Sequence, residues 1–143
     1  MRNLIVVAVS CFLLTACSGA MQMGGPDLEE LARGFSESMR WHDFSNAAAY
    51  LDPEVRPAFE EKFIEDDDLR IVGSRVLSVN IFPDGEQADI VYVLEYYHLP
   101  SNQIKKWRWK QHWELGSKRV IKPGIWMIKN EPPGLPWQKS KAQ

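Results

Sequence analysis

Cysteine is nearly missing from this chain. The 143 residues contain two, Cys11 and Cys17, so everything after position 17 is without one. A disulfide within the body of the chain is excluded, and stability must come from packing alone. A dominant charge sign is missing too. Seventeen Lys and Arg against 19 Asp and Glu leave a net charge of −2, which argues against a general nucleic-acid binder with its strongly positive surface. No apolar run reaches the roughly 20 residues that a membrane-spanning helix needs. The three histidines, His42, His98 and His112, show no His-x-x-x-His or His-x-His spacing, so no strong metal signal is present. No nucleophile elbow, phosphate loop or dinucleotide fingerprint occurs, and no cofactor is expected. The acidic run Glu65-Asp66-Asp67-Asp68 lacks the central glycine and final glutamate of a calcium loop. It reads as the solvated exit of a helix, where four carboxylates oppose the helix dipole and end it.

What is present begins with a short targeting pattern. Arg2 precedes Leu4-Ile5-Val6-Val7-Ala8-Val9 and Phe12-Leu13-Leu14, an apolar core of signal-peptide length. It closes on Leu14-Thr15-Ala16-Cys17, with a leucine three positions before the cysteine and small residues around it. Residues 18–26 are small and flexible, a tether rather than an element.

From Asp27 onward the periodicity is helical. Leu28, Leu31, Phe35 and Met39 form one stripe and predict a helix over 28–41. Asp43 caps a second over 44–51, which Asp52-Pro53 breaks, and Pro57 opens a third that runs to about Asp66 with Phe59 and Phe63 buried. The period then changes to two. Strands are predicted over 70–82, 87–98, 104–115 and 124–129, with the hairpin turn Pro83-Asp84-Gly85 between the first pair. Val72 and Val76 fall off the parity of Leu77, Val79 and Ile81, which predicts a bulge in the first strand. Val120-Ile121 is read as a separate short paired piece. In the third strand Trp107, Trp109, Gln111 and Trp113 alternate with Lys106, Arg108, Lys110 and His112, giving a packed face and a wet basic face. The prolines from Pro132 to Pro136 preclude a regular element after 129, though Trp137 can still pin the tail.

Two resemblances add to this reading. Leu14-Thr15-Ala16-Cys17 resembles the lipobox of bacterial lipoproteins. That implies removal of residues 1–16, a palmitate-type acyl anchor on Cys17, a tether over 17–26 and a domain held at the membrane. Ser18, in place of an inner-membrane-retaining aspartate, implies the outer membrane with the domain in the periplasm. Residues 27–129 resemble the NTF2-like superfamily through the Phe35 to Leu51 helices, Gln111-His112-Trp113-Glu114-Leu115 and Gly124-Ile125-Trp126-Met127-Ile128. The resemblance implies an α+β fold in which N-terminal helices pack on a curved four-stranded antiparallel sheet, a cone; the proline-rich tail over 130–143 departs from that pattern.

A cone of this kind offers Tyr92, Tyr96, His98, Trp107, Trp109, Trp113 and Trp126 as pocket candidates. Lys106, Arg108 and Lys110 are candidates for contact with an anionic envelope surface. With no catalytic constellation visible, a non-enzymatic module that docks an envelope protein or holds a small ligand is favoured. The alternative is an isomerase- or dehydratase-type enzyme using His98 or Asp89 as base. Oligomeric state is open. A cavity above about 300 Å3 with convergent polar groups would favour ligand binding or catalysis, whereas tryptophans filling the interior would favour docking.

Overall fold

The computed structural model describes residues 27–116 and 124–138. The signal segment, Cys17 and its tether, Lys118, Arg119, Lys122, the Val120-Ile121 piece and the last five residues lie outside them. Three helices come first: α1 Leu28–Arg40, α2 Phe44–Ala48 and α3 Arg56–Phe63. Four strands follow: β1 Leu69–Ile81, β2 Gln87–His98, β3 Lys105–Leu115 and β4 Trp126–Ile128. The helices begin and end where local chemistry dictates. The Asp43 carboxylate accepts the Asn46 N–H at 3.0 Å and starts α2, while α3 carries Pro57 in its first turn. Asp27 precedes α1 without a side-chain cap.

The strands form one antiparallel meander in the order β1-β2-β3-β4. Its register pairs Val79 with Ile90 and Leu69 with His98. Between β2 and β3, Tyr92 lies opposite Trp109 and Ala88 opposite Trp113. The expected irregularity in β1 is present twice, as register shifts at Ile71/Gly73 and Val76/Ser78. The hairpin turns at Gly85, whose φ of 69° suits glycine.

The expectation of a curved, cone-like sheet is corrected. The sheet is neither closed nor curled: β1 and β4 stand at opposite ends of the strand order. The physical reason lies in strand length. β1, β2 and β3 run 13, 12 and 11 residues, but β4 has three, too few to carry the sheet round. Instead the outer side of β4 is met by the chain after α2, through the parallel bridge of Leu51 with Ile128 and the Asp52 N–H to Ile128 carbonyl bond of 2.9 Å.

The helices cover one sheet face, and aromatic rings fill the space between. Phe35 of α1 stands edge-on to Tyr92 at 5.2 Å and to Trp109 at 5.9 Å. Phe59 stacks on Trp109 and Phe63 meets Trp107 edge-on. Fully burying such side chains contributes about 1.5–3 kcal/mol each, which accounts for a fold held without disulfides. A buried polar thread crosses this core: the Ser74 hydroxyl lies 2.9 Å from that of Ser36 and 2.7 Å from that of Tyr92. Burial pushes the Tyr92 phenol up, against the opposing effect of that Ser74 bond, so it stays a neutral hydroxyl.

Candidate functional site

The site lies where regular structure ends. The exit of α3 leads through Asp66 and Asp68 into β1. Because Leu69 pairs with His98, the residues just before β1 necessarily meet the end of β2. His98 Nε2–H donates to Asp66 Oδ1 at 3.0 Å, and Trp137 Nε1–H donates to Asp66 Oδ2 at 2.7 Å. Both carboxylate oxygens are thus held by fixed donors. The Asp66 and His98 side chains are only 5% and 16% exposed, so the pair is largely shielded from water. Burial works to raise the Asp66 pKa, but the bonds from His98 and Trp137 outweigh it and hold the carboxyl below its ordinary value. With Nε2 donating, a neutral His98 ring keeps Nδ1 as its basic nitrogen. No partner for Nδ1 occurs among the described residues.

Asp68 completes the group. Its carboxylate, that of Asp66 and a ring nitrogen of His98 lie within 4.8 Å of one another. Two carboxylates and an imidazole can move protons, or can hold a borderline divalent cation. A cavity of about 390 Å3 opens beside them, within the range of small-molecule sites. Its walls include Asp68, Tyr96, His98, Lys105 and Trp137. The tail makes one of these walls: Trp137 lies 4.2 Å from Tyr96 and stacks beside His98 at 6.2 Å. The tail is secured by the Lys62 Nζ to Pro132 carbonyl and Gln138 Nε2 to Lys62 carbonyl bonds, each 3.0 Å.

Of the seven residues expected to line a pocket, Tyr96 and His98 line this cavity. Tyr92, Trp107, Trp109 and Trp113 are buried in the core, and Trp126 packs against it half-buried. Asp89 is not beside His98. It sits on the opposite sheet face, accepting from His112 Nδ1 at 2.9 Å and paired with Lys110 at 2.8 Å. The two candidate bases of the enzyme reading therefore do not share a site. Lys106, Arg108 and Lys110 are exposed on that outer face, but Lys106 lies 3.5 Å from Glu95, itself paired with Arg75. Cations and acids alternate there, so the face is not a one-signed patch. His42 is exposed after α1, and His112 is bracketed by Asp89 and Glu114.

The sequence pattern alone makes Asp66 and Asp68 part of a solvated helix exit. The run shows no metal or catalytic spacing because its partner is 30 residues away in sequence. The available signal was the hairpin itself: strands over 70–82 and 87–98 with a turn at Pro83-Asp84-Gly85 place the start of one against the end of the other. The preference for a non-enzymatic module is likewise corrected. It rested on a missing constellation, and Asp66, Asp68 and His98 supply one of catalytic type.

No family model matches the chain. Among curated proteins it is 27% identical over 106 residues to mitochondrial cytochrome P450 11B1 of Sus scrofa, covering 66% of this chain and only 21% of that protein. That likeness shows no family. Among solved structures, a SEC-C motif containing protein from Psychrobacter arcticus superposes with a TM-score of 0.57 at 9% identity, covering 76% of this chain and 61% of that one; the likeness is one of fold alone. A provisionally assigned polyketide cyclase from Xanthomonas campestris pv. campestris gives a TM-score of 0.38 at 14% identity, covering 79% and 93% of the two chains. That loose similarity carries no argument about chemistry. The chain is a small α+β domain, three helices on an open antiparallel sheet, with an Asp66–Asp68–His98 cluster beside a cavity.

Proposed function

We propose that this domain is an enzyme that moves a proton on a small organic ligand, with His98 as acid–base group and Asp66 as the residue that orients it. The observation carrying this reading is the Asp66–His98 bond at the wall of a cavity of ligand size. Geometry comes first for such a role. Asp66, held by Trp137, fixes which ring nitrogen carries the proton, and the other nitrogen is left to exchange with a ligand. The test is solvent-deuterium incorporation by the full chain into a panel of small metabolites with acidic C–H bonds, followed by NMR. The wild-type protein should label at least one compound, and His98→Gln should slow that labelling by about 10²–10⁴, the usual contribution of a positioned acid or base. No labelling by the wild type, or labelling unchanged in His98→Gln, refutes the reading.

A second reading is favoured by the 4.8 Å grouping of donors from Asp66, Asp68 and His98, which suits a divalent cation. Dialysis against a chelator separates the two. Labelling that survives supports direct proton transfer, whereas loss restored by Zn²⁺ or Mn²⁺ supports the cation.

The location is also a proposal. On the Leu14-Thr15-Ala16-Cys17 pattern we place the domain on a lipid anchor at Cys17, on the periplasmic face of the outer membrane. Among the described residues no helix is long and apolar enough to cross a membrane. The intact mass of the cell-derived protein tests the anchor: acyl mass on an N-terminal Cys17 is expected, and its absence overturns it.

A further inference from the structure

The cavity beside His98 is bordered by two exposed side chains of opposite charge that have no ion pair among the described residues. Five lysines lie among the described residues. Lys62 donates to the Pro132 carbonyl, Lys106 pairs with Glu95, Lys110 with Asp89 and Lys129 with Asp52. The Lys105 ammonium alone of these has no ion pair or side-chain hydrogen bond within the described residues, although its backbone pairs with Tyr96, and Lys105 lines the cavity. Asp68 lines it as well. The Asp68 backbone is engaged, its carbonyl accepting the Leu99 N–H at 3.0 Å, yet its carboxylate makes no hydrogen bond among the described residues. Around these charges stand the rings of Trp137 and Tyr96, the apolar Leu99, Pro100 and Pro136, and the neutral Ser101 and Gln103.

We infer that the ligand is a small zwitterion, with an ammonium group taken by Asp68 and the aromatic wall and a carboxylate taken by Lys105. A simple anion would meet Lys105 but face Asp68 with like charge. A simple cation would meet Asp68 but leave Lys105 opposing it. One molecule with both charges satisfies the two walls together. The aromatic side reinforces the ammonium end, because ring faces attract cations. A volume of about 390 Å3 sits at the small end of ligand sites, which matches a free amino acid or a comparably sized amino carboxylate rather than a polymer. This inference rests on the reading of the cavity as the working site.

The test uses the full chain in detergent and measures affinity by the shift of the Trp137 indole N–H signal, assigned with Trp137→Phe. The probes are glycine, 4-aminobutanoate and 6-aminohexanoate, whose charge separations differ, with butylamine and butanoate as single-charge controls. At least one amino carboxylate should bind about tenfold or more tighter than either control. Asp68→Asn should reduce its affinity to that of butanoate, and Lys105→Met to that of butylamine. Equal binding of zwitterion and control, no effect of Lys105→Met, or no shift with any probe overturns the inference. The two proposals fail separately. Tight zwitterion binding without any proton exchange sinks the acid–base role and keeps the ligand class. Proton exchange on a compound lacking either charge does the reverse.

Discussion

Replacing Trp137 with phenylalanine removes one N–H and keeps most of the ring. That N–H donates 2.7 Å to Asp66 Oδ2, in a place where the indole is 7% exposed. A hydrogen bond to a charged group contributes about 1.5–3 kcal/mol, and water reaching the vacated oxygen would return part of it. The expected loss is therefore about 1–2 kcal/mol at neutral pH. For a domain near 100 residues, about 4 °C of melting temperature accompanies each kcal/mol, so Trp137→Phe should melt roughly 4–8 °C lower by calorimetry. The pH dependence supplies the sharper check. The folded-state pKa of Asp66 is lowered from 3.8, so its bonds contribute stability that is full above 3.8 and fades as pH falls through the lower folded value. Removing one of the two donors moves the folded value back toward the ordinary one. The gap between variant and wild type should therefore be widest at neutral pH and shrink as pH drops below about 3.8. Equal melting at pH 7, or a gap that does not change down to pH 2, would refute the assignment of Trp137 as the anchor of Asp66.

Other perturbations read other parts of the fold. Asp52→Asn keeps an acceptor for the Glu54 N–H but loses the ion pair with Lys129; a cost of about 1 kcal/mol is expected. Since the Asp52 pKa is lowered and that of Lys129 raised, urea titrations should show the cost at mid-range pH. It should vanish below 3.8 through Asp52 and above 10.5 through Lys129. Trp113→Phe should cost about 1–2 kcal/mol more than Trp107→Phe. The Trp113 N–H donates to Gln111 Oε1 at 3.0 Å, and its loss orphans a buried acceptor, whereas the Trp107 N–H has no partner among the described residues. Equal costs in chemical denaturation would mean that the Gln111 bond contributes nothing. Gly85→Ala should cost about 1 kcal/mol from its positive φ alone, because nothing lies within 4 Å of the added methyl; an unchanged denaturation midpoint would rule out the left-handed turn.

The elements were legible because each carries its own period. Leu28, Phe35 and Met39 fall on one helix face, and all three are buried in α1. The 87–98 strand coincides with β2, and the parity break at Val72 and Val76 appears as the two register shifts. Even the pinning of the tail by Trp137 was readable, from one large aromatic among prolines. What could not be read is what depends on sums over distance. Whether a sheet curls depends on the length of its last strand, and the pattern over 124–129 yields only Trp126–Ile128. The role of Asp66 was hidden for a related reason. A carboxylate within an acidic run looks solvated until the chain that covers it is placed, and here the cover is Trp137, 71 positions on.

That cover accounts for the place of the Asp66–His98 pair at the end of the sheet and not within it. The inward face of β2 and β3 is committed to Tyr92, Trp107, Trp109 and Trp113, all buried against the helices. Past His98 the pairing of β1 with β2 runs out, with the Leu99 N–H to Asp68 carbonyl bond just beyond it. An acid–base pair needs two things that rarely coincide: shielding from bulk water, so that its geometry is fixed, and an open side for the partner molecule. The strand end provides the open side, through the loop from Leu99 to Gln103 that borders the cavity. The folded-back tail provides the shielding, by holding Trp137 over Asp66. Neither segment lies in a helix or long strand, yet the tail packs into the core through Leu135 and Trp137, so a change at Trp137 costs packing as well as the hold on Asp66.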